Sequence, residues 1–483
     1  MSRSTAVHAA IGGGADAALG RVREYLRVPG FSASGEGIAA SATLTREHLA
    51  RICDDARVVP TAGHPVVFGT RRSRRPEART LVVYGLYDLT PTHPHEWRVD
   101  PLGATVLPAA DLGLDPGLGD VLVSRGAHNH RGPVLAAIMA VEAMLTVEGD
   151  VPCHLVFVIE GEEEVGSPSL AGFLEEHRDV FAHVDGAWLP CMAEGTGGVM
   201  TVHRGFKGVL WFELFCAGGE WGGTLDGTHL WAGHSAWIDA PLVQIVHAVG
   251  SLFDGDHGTA IDDVDRLVLD IDDEDRRDGR ALAEALRADP AAEAEMLRTL
   301  GVARLRAGKR LDELVERFMF GINLNLQGVA GGHPDPGYYT MLPGAANARL
   351  DLRLPPGVAA AEALGLIRAH LDRRGLSSVQ IRDVRSYPAA RTPGTDPLLT
   401  AAATAAAAHG ARTSVMPMFN GCCPASLFQA LAPAGLPFSF AGLGQGERPH
   451  APHEFIRTDA VRRLMDFTVT YLHAWTRNSS EEP

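Results

Sequence analysis

The sequence is poor in cysteine and in positive charge, and it lacks a long apolar run. Its six cysteines, Cys53, Cys153, Cys191, Cys216, Cys422 and Cys423, are spread over 483 residues without Cys-x-x-Cys spacing. So sparse a set excludes a disulfide-built scaffold and predicts a reduced, cytoplasmic protein. Lys and Arg total 43 against 59 Asp and Glu, a net charge of −16. That balance argues against nucleic acid as the main partner. The absence of an apolar run of about 18 residues predicts no membrane span and no membrane partner. Met1 to His8 lacks the charged-then-apolar order of a signal peptide, so no secretory leader is expected.

What is present is ordinary globular composition, 46% hydrophobic and 21% charged, on a chain too long for one hydrophobic core. The chain is organised around Val156 to Ser167, Val-Phe-Val-Ile-Glu-Gly-Glu-Glu-Glu-Val-Gly-Ser. Its apolar start reads as a buried strand. Glu160, Glu162, Glu163 and Glu164 follow, then a helix from about Pro168 to His177. Acids at the carboxyl end of a core strand stand where open α/β sheets place their chemistry. Packed so closely, they repel unless a cation, a proton or a basic group sits among them.

Around this stretch, strand and helix alternate. Helices are expected over 15–27, 40–56 and 133–145, and strands over 66–69, 80–84 and 154–159. That order predicts a parallel or mixed sheet covered on both faces. After about Thr201 the pattern changes to strand, helix, two strands, helix, strand, the order of a small α+β sandwich. The expected division is a catalytic domain over 1–202, a lid domain over 203–386 with a charged helical insertion at about 254–319, and a return to the catalytic domain over 387–483.

Several stretches, in order along the chain, resemble the dinuclear-zinc metallopeptidases and amidohydrolases that include carnosinase, aminoacylase and succinyl-diaminopimelate desuccinylase. Gly85-Leu86-Tyr87-Asp88, with Trp97 and Asp100-Pro101 beyond it, is similar to that family's Gly-His-Tyr-Asp…Trp…Asp-Pro. Arg125 to Pro133 is similar to Arg-Gly-Ala-x-Asp-x-Lys-Gly-Pro, and Glu160 to Ser167 to Glu-Gly-x-Glu-Glu-x-Gly-Ser. Pro343 to Pro355 resembles the lid segment, and His450 to Glu454 the terminal His-x-x-Asn-Glu. The resemblance implies a mixed-sheet α/β catalytic domain interrupted by an α+β lid that often dimerises, so a homodimer is expected.

It also implies roles. Asp88 stands at the aspartate that orients a metal-binding histidine, Glu163 at the general base, Glu164 and His450 at ligands of the second metal. Against these, Leu86 stands at the first His ligand, Asn129 at the bridging aspartate, and Cys191 at a carboxylate ligand of the first metal. An ordinary two-zinc site is therefore not expected.

Three accounts stand open. In the first, Glu164, His450 and either Cys191 or Asn129 hold one Zn²⁺ or other divalent ion, with His128 and His130 at hand to supply a ligand. In the second, no metal binds, and the glutamates, with or without a Cys–His pair, do acid–base chemistry. In the third, the fold survives as a non-catalytic binder.

The expected substrate is a small amino-acid-derived or peptide-like molecule with an amide or peptide bond. The family's carboxylate-binding Arg-x-Gly-Gly-Ser-Ile-Pro matches Met418 to Pro424, which lacks the arginine and the serine. Asn420 and Phe419 remain as substrate-facing candidates, beside Asn129, His128 and His130. The lid histidine that stabilises an oxyanion in that family is matched by His229 or His234. Arg353 is expected to support the lid rather than touch substrate.

Overall fold

A computed structural model describes residues 3–195, 197–254, 258–306, 308–432 and 435–477. Thr80–Leu86 runs parallel to His154–Glu160 on one side and to Gly186–Pro190 on the other, and Gly186–Pro190 runs parallel to Phe438–Ala441. Antiparallel strands Val66–Arg71 and Asp55–Val59 extend one edge, and Val199–His203 with Arg412–Met416 the other. Side chains alternate between two cores. Leu155, Phe157 and Ile159 join helices Arg131–Glu148 and Ala460–Trp475 on one face, whereas Val156 and Val158 join Phe173 and Phe428 on the other. Burial on both faces explains why the central strand is continuously apolar.

The four parallel strands end at one edge of the sheet. Leu86 pairs with Glu160 there, and Pro190 with Ala441. A four-stranded antiparallel sheet lies beside this edge, with Asp120–Val123 between Phe455–Arg457 and Thr105–Pro108. Its strand ends launch the loops that carry Arg125 to His130 and Arg448 to Glu454.

A separate antiparallel sheet runs in the order Asn323–Gly331, Ala345–Leu354, Gly208–Ala217, Gln380–Tyr387. Helices Pro241–Leu252 and Ala360–Arg373 cover one face, packing on Leu210, Leu214, Leu350 and Leu352. Trp211, Glu213, Arg349 and Arg353 line the cleft that this sheet forms with the parallel-strand edge.

Two sequence expectations need correcting. The helix expected over 40–56 spans Ile38–Leu49, because Asp55–Val59 pairs with Val66–Arg71 and its β-branched valines suit a strand. The insertion is helical in three pieces, Asp273–Ala288, Ala292–Leu300 and Leu311–Phe320. Residues 255–257 and 307 of that stretch lie outside the described residues.

The insertion grips the crossing between the two sheets. Gly205–Phe206 and Ala390–Arg391 form a short ribbon there. Arg204, 2% exposed, meets Glu274 at 2.7 Å, Asp275 at 3.5 Å and Asp278 at 2.5 Å. Arg391 meets Asp275 at 2.6 Å, Asp270 at 3.2 Å and Asp272 at 3.3 Å. Removing Arg204 takes the partner from Glu274 and Asp278 and leaves the buried Asp275 with Arg391 alone. Arg204→Ala is expected to lower unfolding free energy by about 3 kcal/mol, read by urea denaturation; a change within error would show that this cluster is not what fixes the insertion.

Candidate functional site

The acid run resolves into four acids with separate surroundings. Glu160 is buried and accepts from Tyr84 Oη at 2.6 Å and Ser167 Oγ at 2.9 Å. Burial pushes its carboxyl up to about 8, so it holds its proton at neutral pH. Glu162 turns away, and its Oε1 accepts the His64 backbone N–H at 3.0 Å. Glu164 binds Asn129 through Oε1 at 2.7 Å and His450 Nε2 through Oε2 at 3.1 Å. Glu163 lines the cleft. Burial first, then Glu164, Asp88 and Glu160, hold its carboxyl well above the usual carboxylate range, against the nearby Arg353 charge.

Asn129 joins the remaining pieces. Its Nδ2 lies 2.7 Å from Glu164 Oε1 and 2.8 Å from His450 Nε2. His450 itself is pulled two ways. Burial lowers its pKa, and the Glu164 hydrogen bond and charge outweigh burial, so the net shift is upward.

The loop that carries Asn129 is fixed by Glu454. This carboxylate, fully buried, accepts from Arg125 Nη1 at 2.9 Å and from the backbone N–H groups of Gly126 at 3.0 Å, His128 at 2.8 Å and Asn129 at 2.8 Å. Arg448, His450 and His453 in the facing loop all take positive φ, at 64°, 60° and 62°. Left-handed backbone costs a non-glycine residue about 1–2 kcal/mol. The four-fold bonding of Glu454 is the local interaction able to offset that cost.

The cleft has a volume of about 840 Å³. Of the residues expected from sequence, Glu163, Glu164, His450, Asn129, His130, Phe419 and Asn420 line it. His130 is half-buried, and desolvation with the neighbouring His128 and His450 lowers it to about 3, so its ring is neutral. Asn420 Oδ1 accepts from Lys207 Nζ at 2.9 Å, which leaves that oxygen engaged by the protein.

Asp88 lies behind the cleft wall, where its Oδ2 accepts the Glu164 backbone N–H at 3.0 Å. Burial and the Glu164 charge push it up to about 7. Its Oδ1 finds no hydrogen-bond partner among the described residues. With Leu86 two residues earlier, no histidine stands there for it to orient.

Others are placed elsewhere. His128 faces Met192, with Nε2 3.2 Å from its carbonyl, rather than the cleft. Cys191 is buried outside the cleft lining, and burial raises its thiol well above the usual range. His229 and His234 do not line this chain's cleft either. His229 lies beside Tyr339, and His234 between the rings of Trp231 and Trp237.

Three residues escaped sequence reasoning as parts of the site. Glu454 was signalled only by its place four residues after His450. Arg353 lines the cleft and donates to Cys422 Sγ at 2.7 Å and to Asp351 at 2.6 Å, so it does more than support the lid. Phe318 reaches the cleft from the insertion, and nothing in its charged surroundings announces that.

The donor set decides how the family's metal chemistry fits. Leu86 offers no donor atom, Asn129 turns its amide nitrogen toward both Glu164 and His450, and Cys191 lies outside the cleft. Among the described residues, no three His, Cys, Asp or Glu side chains are grouped to hold an ion. These residues do not fit two metals; Glu164 and His450, 3.1 Å apart, are the pair left for at most one.

Comparisons with known proteins agree with this architecture. The chain is 24% identical to the human Beta-Ala-His dipeptidase over 322 residues, 62% of this chain and 54% of that protein. It is 24% identical to the Cys-Gly metallodipeptidase DUG1 of Saccharomyces cerevisiae over 325 residues, 65% of this chain and 61% of that one. The matches thus span little more than half the length of these relatives. The solved structure of the yeast di-peptidase Dug1p superposes with a TM-score of 0.83 at 20% identity, covering 99% of this chain and 100% of that one. Residues 105–474, more than half of the sequence, match Peptidase family M20/M25/M40, and the chain belongs to that family.

Proposed function

We propose that this chain is an amide-bond-directed hydrolase of altered mechanism, acting on a small amino-acid-derived compound and using at most one metal ion. The observation that carries this reading is the placement of Glu163 at the cleft surface beside the linked Glu164, Asn129 and His450. The relatives' names, β-Ala-His and Cys-Gly dipeptidases, make such dipeptides the first compounds to assay.

In this mechanism Glu163 moves the proton. It takes one from the attacking water and passes it to the nitrogen that leaves when the amide bond breaks. Arg353, at the same cleft, favours the charged state of Glu163. Asn129 and Glu454 hold Glu164 and His450 in register with it. A single divalent ion at Glu164 and His450 would supply a lowered water pKa. The second reading, a metal-free acid–base enzyme, is favoured by Asn129, whose neutral amide donates to Glu164 and lies 2.8 Å from His450 Nε2.

We further propose that the lid dimerises and that the division near residues 203 and 386 separates it from the catalytic domain. Asn323–Gly331 is an edge strand with exposed Leu326 and Val329, and an unprotected edge invites pairing with a second copy. Trp231, Trp237 and Val246 are exposed on the same lid domain. His229 and His234 lie there, so either would reach a cleft by crossing into the second copy.

Three outcomes are expected. Glu163→Ala lowers turnover of a cleaved dipeptide by about 10²–10⁴-fold with an unchanged circular dichroism spectrum; full activity in that variant removes the proton-transfer role. Protein purified without chelator or added metal carries no more than one equivalent by elemental mass spectrometry, and two equivalents overturn the reading of Leu86 and Asn129. Light scattering gives a dimer that Leu326→Asp with Val329→Asp converts to monomer; a dimer that persists places the interface elsewhere.

A further inference from the structure

Four segments bring aromatic rings to one wall of the cleft. Phe206 comes from the ribbon between the sheets, Phe419 from the loop after Arg412–Met416, Phe440 from a core strand, and Phe318 from the last helix of the insertion. Phe206 meets Phe419 edge to face at 6.1 Å and Phe440 at 5.5 Å, and Phe318 meets Phe419 at 5.6 Å. Phe440 also meets His130 at 5.6 Å, so the wall begins beside Asn129.

The rings are held from behind. The Phe419 N–H donates to the Gly205 carbonyl at 2.8 Å, and the Lys207 N–H to the Phe419 carbonyl at 3.0 Å. Met418 and Met319, both buried, pack the insertion's last helix against this loop. The Lys207 ammonium is turned onto the carbonyls of Arg317 and Gly321 and onto Asn420.

We propose that these rings form the subsite for an aromatic side chain of the substrate, next to the bond that is cleaved, and that Phe318 sets its selectivity. The proposal rests on the amide-directed reading of the same cleft. A flat ring can meet Phe318, Phe419 and Phe440 at their edges or faces, the geometry that aromatic groups favour. A small or polar side chain would leave those rings against water.

The test is calorimetric titration of full-length Glu163→Ala protein, in which turnover is lowered about 10²–10⁴-fold, with Gly-Phe, Phe-Gly and their alanine and glutamine counterparts. One phenylalanine dipeptide is expected to bind at least about tenfold more tightly than its alanine and glutamine counterparts. Adding Phe318→Ala should remove most of that preference, and adding Phe318→Leu should leave part of it. Equal binding across the series overturns the subsite, a result that needs no second variant. A folded Phe318→Ala protein that keeps the full preference overturns the role of Phe318. Initial rates with unmutated protein separate the two readings. Preference in binding with no cleavage of any dipeptide retires the hydrolase and leaves the subsite standing. Cleavage without preference retires the subsite alone.

Discussion

Carboxyl groups crowded at the ends of parallel strands must each find a donor, a proton or a cation. That requirement shapes the candidate site. Burial makes Glu160 keep its proton, although two hydroxyls donate to it. Glu162 leaves for a backbone N–H, and Glu164 is bound by Asn129 and His450. Glu163 faces the cleft and, among the described residues, has no hydrogen bond of that kind, though the Arg353 charge is near. A group whose protonation follows its surroundings is the kind that proton transfer needs.

The insertion is part of this arrangement. Its acidic first helix binds Arg204 and Arg391 at the crossing between the sheets, and its last helix delivers Phe318. One element therefore braces the antiparallel sheet against the parallel-strand edge and supplies a wall of the cleft. A surface-charged, Ala- and Arg-rich stretch gains a purpose once its two contact points are known.

The fold was legible because periodicity and motif agreed. The continuous apolar run of 156–159 had to be a strand buried on both faces, and the alternation of strand and helix around it left few arrangements. Most of the site was legible as well, since Glu163, Glu164, Asn129 and His450 lie in short motifs. What could not be read was whatever depends on long-range packing. His128 and Cys191 stand in or next to motifs yet face Met192 and the core. Glu454 acts through four bonds to a loop more than 300 residues away in sequence, and no local pattern encodes that. Phe318 belongs to a helix whose sequence reads only as amphipathic.

The departures from the family pattern are electrostatically coherent. A bridging carboxylate is stable between two cations, and without them it would add another negative charge to Glu163, Glu164 and Asp88. Asn129 removes that charge while its Nδ2 stays within bonding distance of Glu164 and His450. Leu86 removes a ligand without adding a charge. Asp88 Oδ1 has no hydrogen-bond partner among the described residues, and burial with the Glu164 charge moves that carboxyl up to about 7. An unpaired buried carboxylate costs several kcal/mol, whereas a protonated one costs far less. Asn129 and Leu86 thus add no negative charge to a pocket that already holds Glu163, Glu164 and Asp88. Glu163, which could have been neutralised in the same way, is still a glutamate and still faces the cleft.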